Sequence, residues 1–562
     1  MRLPDYNPTM VGFIHTIAGK FGDAEAVVRD GDRVTYRQLE SRSAAVAKAL
    51  LVAGAGKGSR IALLMPPQPE YAVFLFAIGR IGAIALPLST LYQAPELQWV
   101  LDNAEVDYLI TADGFLSHDY LARLEEALPG LAQSRPPLRL HAAPRLRRIW
   151  TIGKDSRLWS LPVDTLFAGS EEFDDAMLRA VEDKVTPADP WLIVYTSGST
   201  AHPKGVVHGQ GSFVRHTYQM SQDFYPFQQG DRIISNRAMF WVAGLVATLS
   251  YALQVGACII TTTDGSPGRV LELIEAENGM GLAGDSGWFD VLRDSAEFKG
   301  AGIDVVRLNM DKAAFARDGR FLSDKVEERY GSPRHYPAAR FARSFGMTET
   351  LGAHTSARWD EILPEDRPSW QGKALPGVAL RIVDPKTREI LPPWQLGELM
   401  VKGYLLMLGL NGRERGDVFD NEGYYATGDL CMLDEQGYLK FESRMGEMIK
   451  IHGANVAPLE VELAMLGLMG IEKVAVVGIE EDGETVLTAA VLMAAGRELD
   501  SDAVTVELKQ KLSSFKVPRR IVALSDAEMP QTGSGKIKKS ELVDLLSGRG
   551  RAADEADETV PA

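Results

Sequence analysis

Eleven consecutive residues, Tyr195-Thr-Ser-Gly-Ser-Thr-Ala-His-Pro-Lys-Gly205, carry four Ser and Thr hydroxyls, two glycines and one lysine. They follow the apolar run Trp191-Leu-Ile-Val194, which reads as the end of a buried strand running out into an exposed loop. Backbone N–H groups, hydroxyl donors and a point positive charge together suit a polyphosphate. The pattern is not the G-x-x-x-x-G-K-[ST] loop, because Pro203 precedes Lys204 and Gly205 follows it. The competing reading is a plain Ser/Gly-rich surface loop.

Such a loop needs a frame. Arg60-Ile-Ala-Leu-Leu-Met65 reads as a strand, residues 71–81 as an apolar helix and Gly82-Ala-Ile-Ala-Leu86 as a strand. Val106-Asp-Tyr-Leu-Ile-Thr111 and Leu192-Ile-Val-Tyr195 continue the series, with helical stretches between. Strands separated by helices give parallel sheets covered on their faces. Beyond residue 445 the texture changes. Lys473-Val-Ala-Val-Val-Gly478 and Thr485-Val-Leu-Thr-Ala-Ala-Val-Leu492 precede a helix-like stretch, 504–512. The expected fold is α/β, with a large N-terminal domain (1–445) of helix-covered, mostly parallel sheets and a small α+β domain (446–547). Residues 548–562, acidic and without aromatics, read as a disordered tail. The Pro- and Arg-rich stretch 133–148 reads as a surface loop.

At 562 residues the chain exceeds what one core supports. It has no apolar run of the roughly 18 residues that a membrane span requires, and its first ten residues lack a signal-peptide core. Two cysteines, Cys258 and Cys431, argue against a disulfide framework and fit a reducing, cytoplasmic setting. A net charge of −16 disfavours nucleic acid and anionic membrane surfaces as partners. A protein so acidic must gather positive charge locally to hold a polyphosphate, and Lys204, Arg444, Lys450 and Lys536 are candidates for doing so. None of the nine histidines shows metal-ligand spacing, so no zinc site is expected, and His202, His208 and His216 read as loop or packing residues.

Further motifs follow the loop in order: Phe345-Gly-Met-Thr-Glu-Thr350, Gly397-Glu-Leu399 with Lys402-Gly403, and Tyr425-Ala-Thr-Gly-Asp-Leu430. Next come a segment from Arg444 that includes Lys450, Gly453, Pro458, Glu460 and Glu462, and finally Pro530-Gln-Thr-Gly-Ser-Gly-Lys-Ile537. Together with the loop they resemble the signature of the AMP-forming acyl-CoA synthetases and the wider adenylate-forming enzymes, over nearly the whole chain.

That resemblance implies two half-reactions. A carboxylate attacks the α-phosphate of ATP and pyrophosphate leaves; the thiol of coenzyme A then displaces AMP. The first step needs no general base, since a carboxylate is ionised near neutral pH, but it does need positioning and charge neutralisation. On this carry-over Thr196, Ser197, Gly198, Ser199, Thr200 and Lys204 hold the β- and γ-phosphates. Glu349 and Thr196 serve Mg²⁺, a hard cation that prefers oxygen ligands, and Thr348 contacts the α-phosphate. Asp429 takes the ribose hydroxyls with Arg444 beside it, and Lys536 acts in adenylation. In the family the small domain turns between half-reactions, which gives Lys450 and Gly453 to the thioester step.

The chain departs from the family pattern in several places. Ala201 replaces a usual glycine, and Gly446 stands where relatives carry Asp or Lys at the pivot. Residues 307–314, including Asn309 to Lys312, replace a Gly-rich segment lining the adenine and acyl sites, so no adenine-pocket residue is assigned. Phe240 and Trp241 replace an aromatic–His pair. With Gly244 and Trp288 they outline an aromatic pocket that favours a short, branched or ring-bearing acid. Asp285 and Asp311 nearby leave a cationic substrate as a variant. The alternatives are an enzyme that loads a carrier protein, an amino-acid-activating enzyme, a luciferase-like oxidation and a catalytically inactive nucleotide-binding scaffold. A homo-oligomer is compatible with the sequence.

Overall fold

The structure is a computed structural model. It describes residues 2–547 apart from Ser117, Ser156, 197–202, Met310, 336–343, Trp359, Asp360, Ile362, 364–366, Pro368, Ser369, 446–448, His452, Gly453, Ala457, Asp482, Gly483, 513–515, Gly533 and Ser534. The tail 548–562 therefore lies outside the described residues.

Trp191, Leu192, Ile193 and Val194 are all buried, in the middle of the strand Pro190–Thr196. This strand lies in an eight-stranded sheet ordered Gly409–Leu410, Lys204–Gly209, Pro190–Thr196, Ile84–Pro87, Arg60–Leu64, Tyr108–Ala112, Arg148–Ile152, Ser160–Pro162. Every pairing from Pro190–Thr196 to Ser160–Pro162 is parallel, and the two at the opposite edge are antiparallel. The helix Pro69–Arg80 is buried on all sides, as expected of a helix apolar all round. It begins two residues earlier than the apolar pattern suggests because Pro69 suits the first helical turn. The strand expected from Gly82 starts only at Ile84, because Gly82 turns the chain at φ +66°.

A second sheet runs Asp304–Arg307, Lys312–Arg317, Gly281–Ala283, Arg232–Ser235, Cys258–Thr261, Glu25–Arg29, Asp32–Thr35. Its four middle strands, from Gly281–Ala283 to Glu25–Arg29, are mutually parallel and its edges antiparallel. The carboxyl edge of the parallel part is therefore formed by the residues just after Ser235, Thr261 and Ala283.

The chain resolves into two compact units. The first comprises Met1–Leu380, Val401–Tyr425 and Gly437–Leu439; the second comprises Arg381–Met400, Ala426–Gln436 and Lys440 onward. The second unit has its own core around a hairpin, Ile471–Glu481 with Glu484–Met493, to which Arg520–Ala523 adds in parallel. Those strands run longer than expected, and the helix Ser501–Lys511 follows them. Both cysteines are buried free thiols. Among the described residues no helix is long and apolar enough to cross a membrane.

Candidate active site

Thr196 and Lys204 are directly opposed across an antiparallel hairpin. Ser197, Gly198, Ser199, Thr200 and Ala201 lie outside the described residues. The hairpin base is braced from several sides. The Tyr195 hydroxyl donates to Asn103 Oδ1 at 2.7 Å, and the Asn411 amide donates to the Gly205 carbonyl at 2.8 Å. A side chain at Gly205 would meet the Tyr195 ring at 2.9 Å, so the residue after Lys204 must stay small. Lys204 is half-buried and makes no ion pair among the described residues.

Thr348 and Glu349 form one turn of 3₁₀-helix, Thr348–Thr350, between the antiparallel strands Ser344–Met347 and Gly352–Ser356. The Thr350 hydroxyl donates to the Gly352 carbonyl at 2.7 Å and accepts from the Met347 amide at 3.2 Å. Gly346 admits no side chain, since a Cβ there would lie 1.8 Å from the Gly352 carbonyl oxygen. The Thr348 carbonyl accepts from His208 Nε2 at 2.8 Å, and that of Glu349 accepts from the Met407 amide at 2.9 Å. The Glu349 carboxylate is half-buried; its one hydrogen bond among the described residues comes from the Tyr425 hydroxyl, at 3.3 Å. No lysine or arginine neutralises it there, so its oxygens fit a hard cation.

His208, which the sequence reads as a loop or packing residue, is fully buried on the strand Lys204–Gly209 and from there also holds this turn. A signal was present, because it lies four residues after Lys204 on the same strand and so shares its face. Burial holds His208 at about 4, and His216 and His354 at about 3, so all three are neutral near pH 7. A carbonyl only accepts, so Nε2 of His208 carries the proton. No cluster of metal-ligating side chains occurs among the described residues.

In the second unit Asp429 is buried, with Arg444 Nε 2.8 Å from its Oδ1. The strand Tyr425–Leu433 holds Asp429 in place: the Thr427 hydroxyl donates to the Leu399 carbonyl (2.9 Å) and accepts from the Asp429 amide (3.1 Å). Glu398, from the Gly-Glu-Leu segment, accepts from the Gly428 amide at 3.1 Å and pairs with Arg388. Lys536 is exposed and makes no ion pair among the described residues. Its loop is closed by two bonds with Thr532: the Thr532 amide donates to the Lys536 carbonyl at 2.7 Å, and the Lys536 amide donates to Thr532 Oγ1 at 3.1 Å. The backbone of Lys450 lies in the strand Ile449–Ile451, opposite Asn455. The Lys450 side chain, Gly453 and Gly446 fall outside the described residues.

Of the residues expected from sequence to line an aromatic pocket, Phe240 and Trp241 meet edge to face at 4.8 Å. Gly244 is required by space, as a Cβ there would sit 2.0 Å from the Ala238 carbonyl oxygen. The chain then enters a π-helical turn, Leu245–Ser250, in which the Thr248 and Ser250 hydroxyls bond carbonyls five residues back. Trp288 is buried, its Nε1 donating to the Gly265 carbonyl at 2.7 Å. The two carboxylates considered for a cationic substrate are otherwise engaged. Asp285 caps the helix Ser286–Asp294, and Asp311 is bound by Lys312 and Arg237.

An α/β fold carrying these motifs defines a nucleotide-dependent, acid-activating enzyme. The chain belongs to the AMP-binding enzyme family: the family model matches residues 14–410, and that of the AMP-binding enzyme C-terminal domain matches residues 460–536. It is 26% identical over 549 residues to the mitochondrial medium-chain acyl-CoA ligase of Bos taurus, covering 95% of this chain and 87% of that one. With a long-chain-fatty-acid–CoA ligase of Mycobacterium tuberculosis the identity is 27% over 518 residues, covering 92% and 93%. The fold matches that of the anthranilate-CoA ligase AuaEII bound to anthranoyl-AMP, with a TM-score of 0.74, 21% identity and coverage of 99% and 100%. It also matches ATP-bound MatB of Rhodopseudomonas palustris, with a TM-score of 0.72, 23% identity and coverage of 96% and 99%. The chain is thus an AMP-forming acid–thiol ligase that uses ATP and coenzyme A.

Proposed function

We propose that this ligase activates a short, branched or ring-bearing carboxylic acid and passes it to coenzyme A. The observation that carries this reading is the Phe240–Trp241 pair, whose rings pack edge to face beside the space-restricted Gly244. Two large rings there leave little room for a long alkyl chain.

The residues divide the work as follows. Thr196 and Lys204, held opposite each other by the hairpin, orient the terminal phosphates together with the loop between them. Glu349 and Thr196 would hold Mg²⁺, which when bound neutralises charge on the triphosphate. Thr348 faces the α-phosphate from a turn that His208 keeps rigid, and Asp429 binds the ribose with Arg444. Because the acid arrives ionised, these groups contribute orientation and electrostatic stabilisation rather than proton transfer. Lys536 serves adenylation and Lys450 the thioester step, with Gly446 as the hinge.

The test is acid-dependent pyrophosphate release from ATP and Mg²⁺ across short, branched, aromatic and long-chain acids, with free coenzyme A or a loaded carrier protein as acceptor. Release and acyl-CoA formation should be greatest with the compact acids. A preference for long chains would sink the pocket reading, and transfer only to the carrier would sink the choice of acceptor.

A further inference from the structure

Arg237, Asp311 and Lys312 form a charge cluster at the carboxyl edge of the second sheet. Arg237 follows the strand Arg232–Ser235 by two residues, and Lys312 opens the strand Lys312–Arg317, paired with Ala283. In sheets with parallel strands, ligands bind in the crevice beyond those carboxyl ends. Asp311 Oδ2 accepts from Lys312 Nζ at 2.6 Å and from Arg237 Nη1 at 3.0 Å, while Arg237 Nη2 donates to the Gly284 carbonyl at 2.7 Å. Arg237 also lies 3.5 Å from the carbonyl of Ala243, next to Gly244. A Cβ at Gly284 would fall 2.3 Å from the Trp288 ring. The cluster therefore lies beside Gly284, whose neighbour is Trp288, and beside the Ala243–Gly244 turn, both assigned above to the acyl pocket.

Three features exceed what a purely structural tie requires. Two cations face one carboxylate, leaving a net positive charge where the Lys312 side chain is 2% exposed. Lys312 uses a single N–H in hydrogen bonding among the described residues. The Tyr225 hydroxyl, on the ring that Lys312 Nζ overlies at 5.7 Å, is buried without a hydrogen-bond partner there. A buried ammonium short of acceptors is costly unless something else supplies them. The Asp311 side chain is 32% exposed, so the cluster is open on one side.

We propose that this cluster receives a second carboxylate of the substrate, so that the acid activated is a dicarboxylic acid whose far end sits against Arg237 and Lys312. The inference rests on the ligase reading and on the aromatic pocket proposed above. A second carboxylate brings the cluster to neutrality and supplies acceptors to Lys312, Arg237 and Tyr225. A cationic acid finds the opposite, because Asp311 is already bound by two positive groups.

The test is calorimetric binding to the full-length protein with a non-hydrolysable ATP analogue and Mg²⁺. The matched pairs are glutarate and valerate, adipate and hexanoate, isophthalate and benzoate. At least one diacid should bind about tenfold or more tightly than its monoacid partner. Arg237→Met and Lys312→Met should each erase that ratio. A wild-type protein that binds every diacid no better than its partner overturns the inference, and this comparison decides even if both variants fail to fold. Preference ratios unchanged in well-folded variants overturn it as well. Pyrophosphate release judges the ligase reading separately: release confined to monoacids refutes the diacid and leaves the ligase, whereas a diacid bound tightly but never activated supports the site and counts against the ligase.

Discussion

His208 Nε2 lies 2.8 Å from the carbonyl oxygen of Thr348. A residue on the strand that begins with Lys204 thus braces the turn that presents Thr348 and Glu349. His208→Phe removes one of two donors to that carbonyl, the other being the Leu351 amide at 3.0 Å, at a cost of about 0.5–1.5 kcal/mol. Pyrophosphate release should fall by up to about tenfold, and His208→Gln, whose amide can still donate, should recover part of it. Wild-type turnover in the Phe variant would remove His208 from any positioning role.

Stability should fall as pH drops below about 6.5, the usual histidine value. Buried His208, His216 and His354 take up protons only at about 4, 3 and 3. The unfolded chain therefore binds those protons first, and each histidine costs up to about 1.4 kcal/mol per pH unit. Most carboxylates stay ionised down to about pH 5, so the loss above that point belongs to the histidines. Melting temperatures from neutral pH to about 5.5 check this, and a flat profile would refute it. Neither ring nitrogen of His354 has a hydrogen-bond partner among the described residues. His354→Phe should accordingly flatten the slope without loss of stability at neutral pH.

Gly346 stands where a Cβ would press within 1.8 Å of the Gly352 carbonyl oxygen. Because the neighbour is backbone, only displacement of the Thr348–Thr350 turn can relieve the contact. Gly346→Ala should lower adenylation by about a hundredfold or more, in line with misplacing catalytic groups by an ångström, and should lower the melting temperature. Near-normal kinetics would show that the turn tolerates the shift.

Lys536→Ala should abolish pyrophosphate release yet spare thioester formation from supplied acyl-adenylate, and Lys450→Ala should do the reverse. Assaying each half-reaction alone distinguishes them. Equal loss of both steps in either variant would end the proposed division. Gly446→Pro, which fixes φ at the proposed hinge, should disturb the two steps unequally.

Local chemistry set out much of this architecture in advance. The apolar residues Trp191 to Val194 predict a buried strand, and the strand is there. The hydroxyls and lysine that follow read as an exposed loop, whereas Thr196 and Lys204 themselves belong to paired antiparallel strands, and residues 197–202 lie outside the described ones. Element ends were less legible, as at Gly82, where a left-handed turn delays the strand by two residues.

The sequence by itself determined the family, the motifs and the alternation that places side chains on one face or the other of a strand. Tertiary structure alone decided the partners. His208 and Thr348 are 140 positions apart, Arg237 and Asp311 74, and Tyr425 and Glu349 76. Periodicity reports which face a side chain occupies, but which distant group meets it depends on strand order and register. Arg237, Asp311 and Lys312 show the difference. The sequence reads Asp311 toward a cationic substrate and gives Arg237 no role, and only the adjacency of strand ends in the second sheet makes the three one cluster.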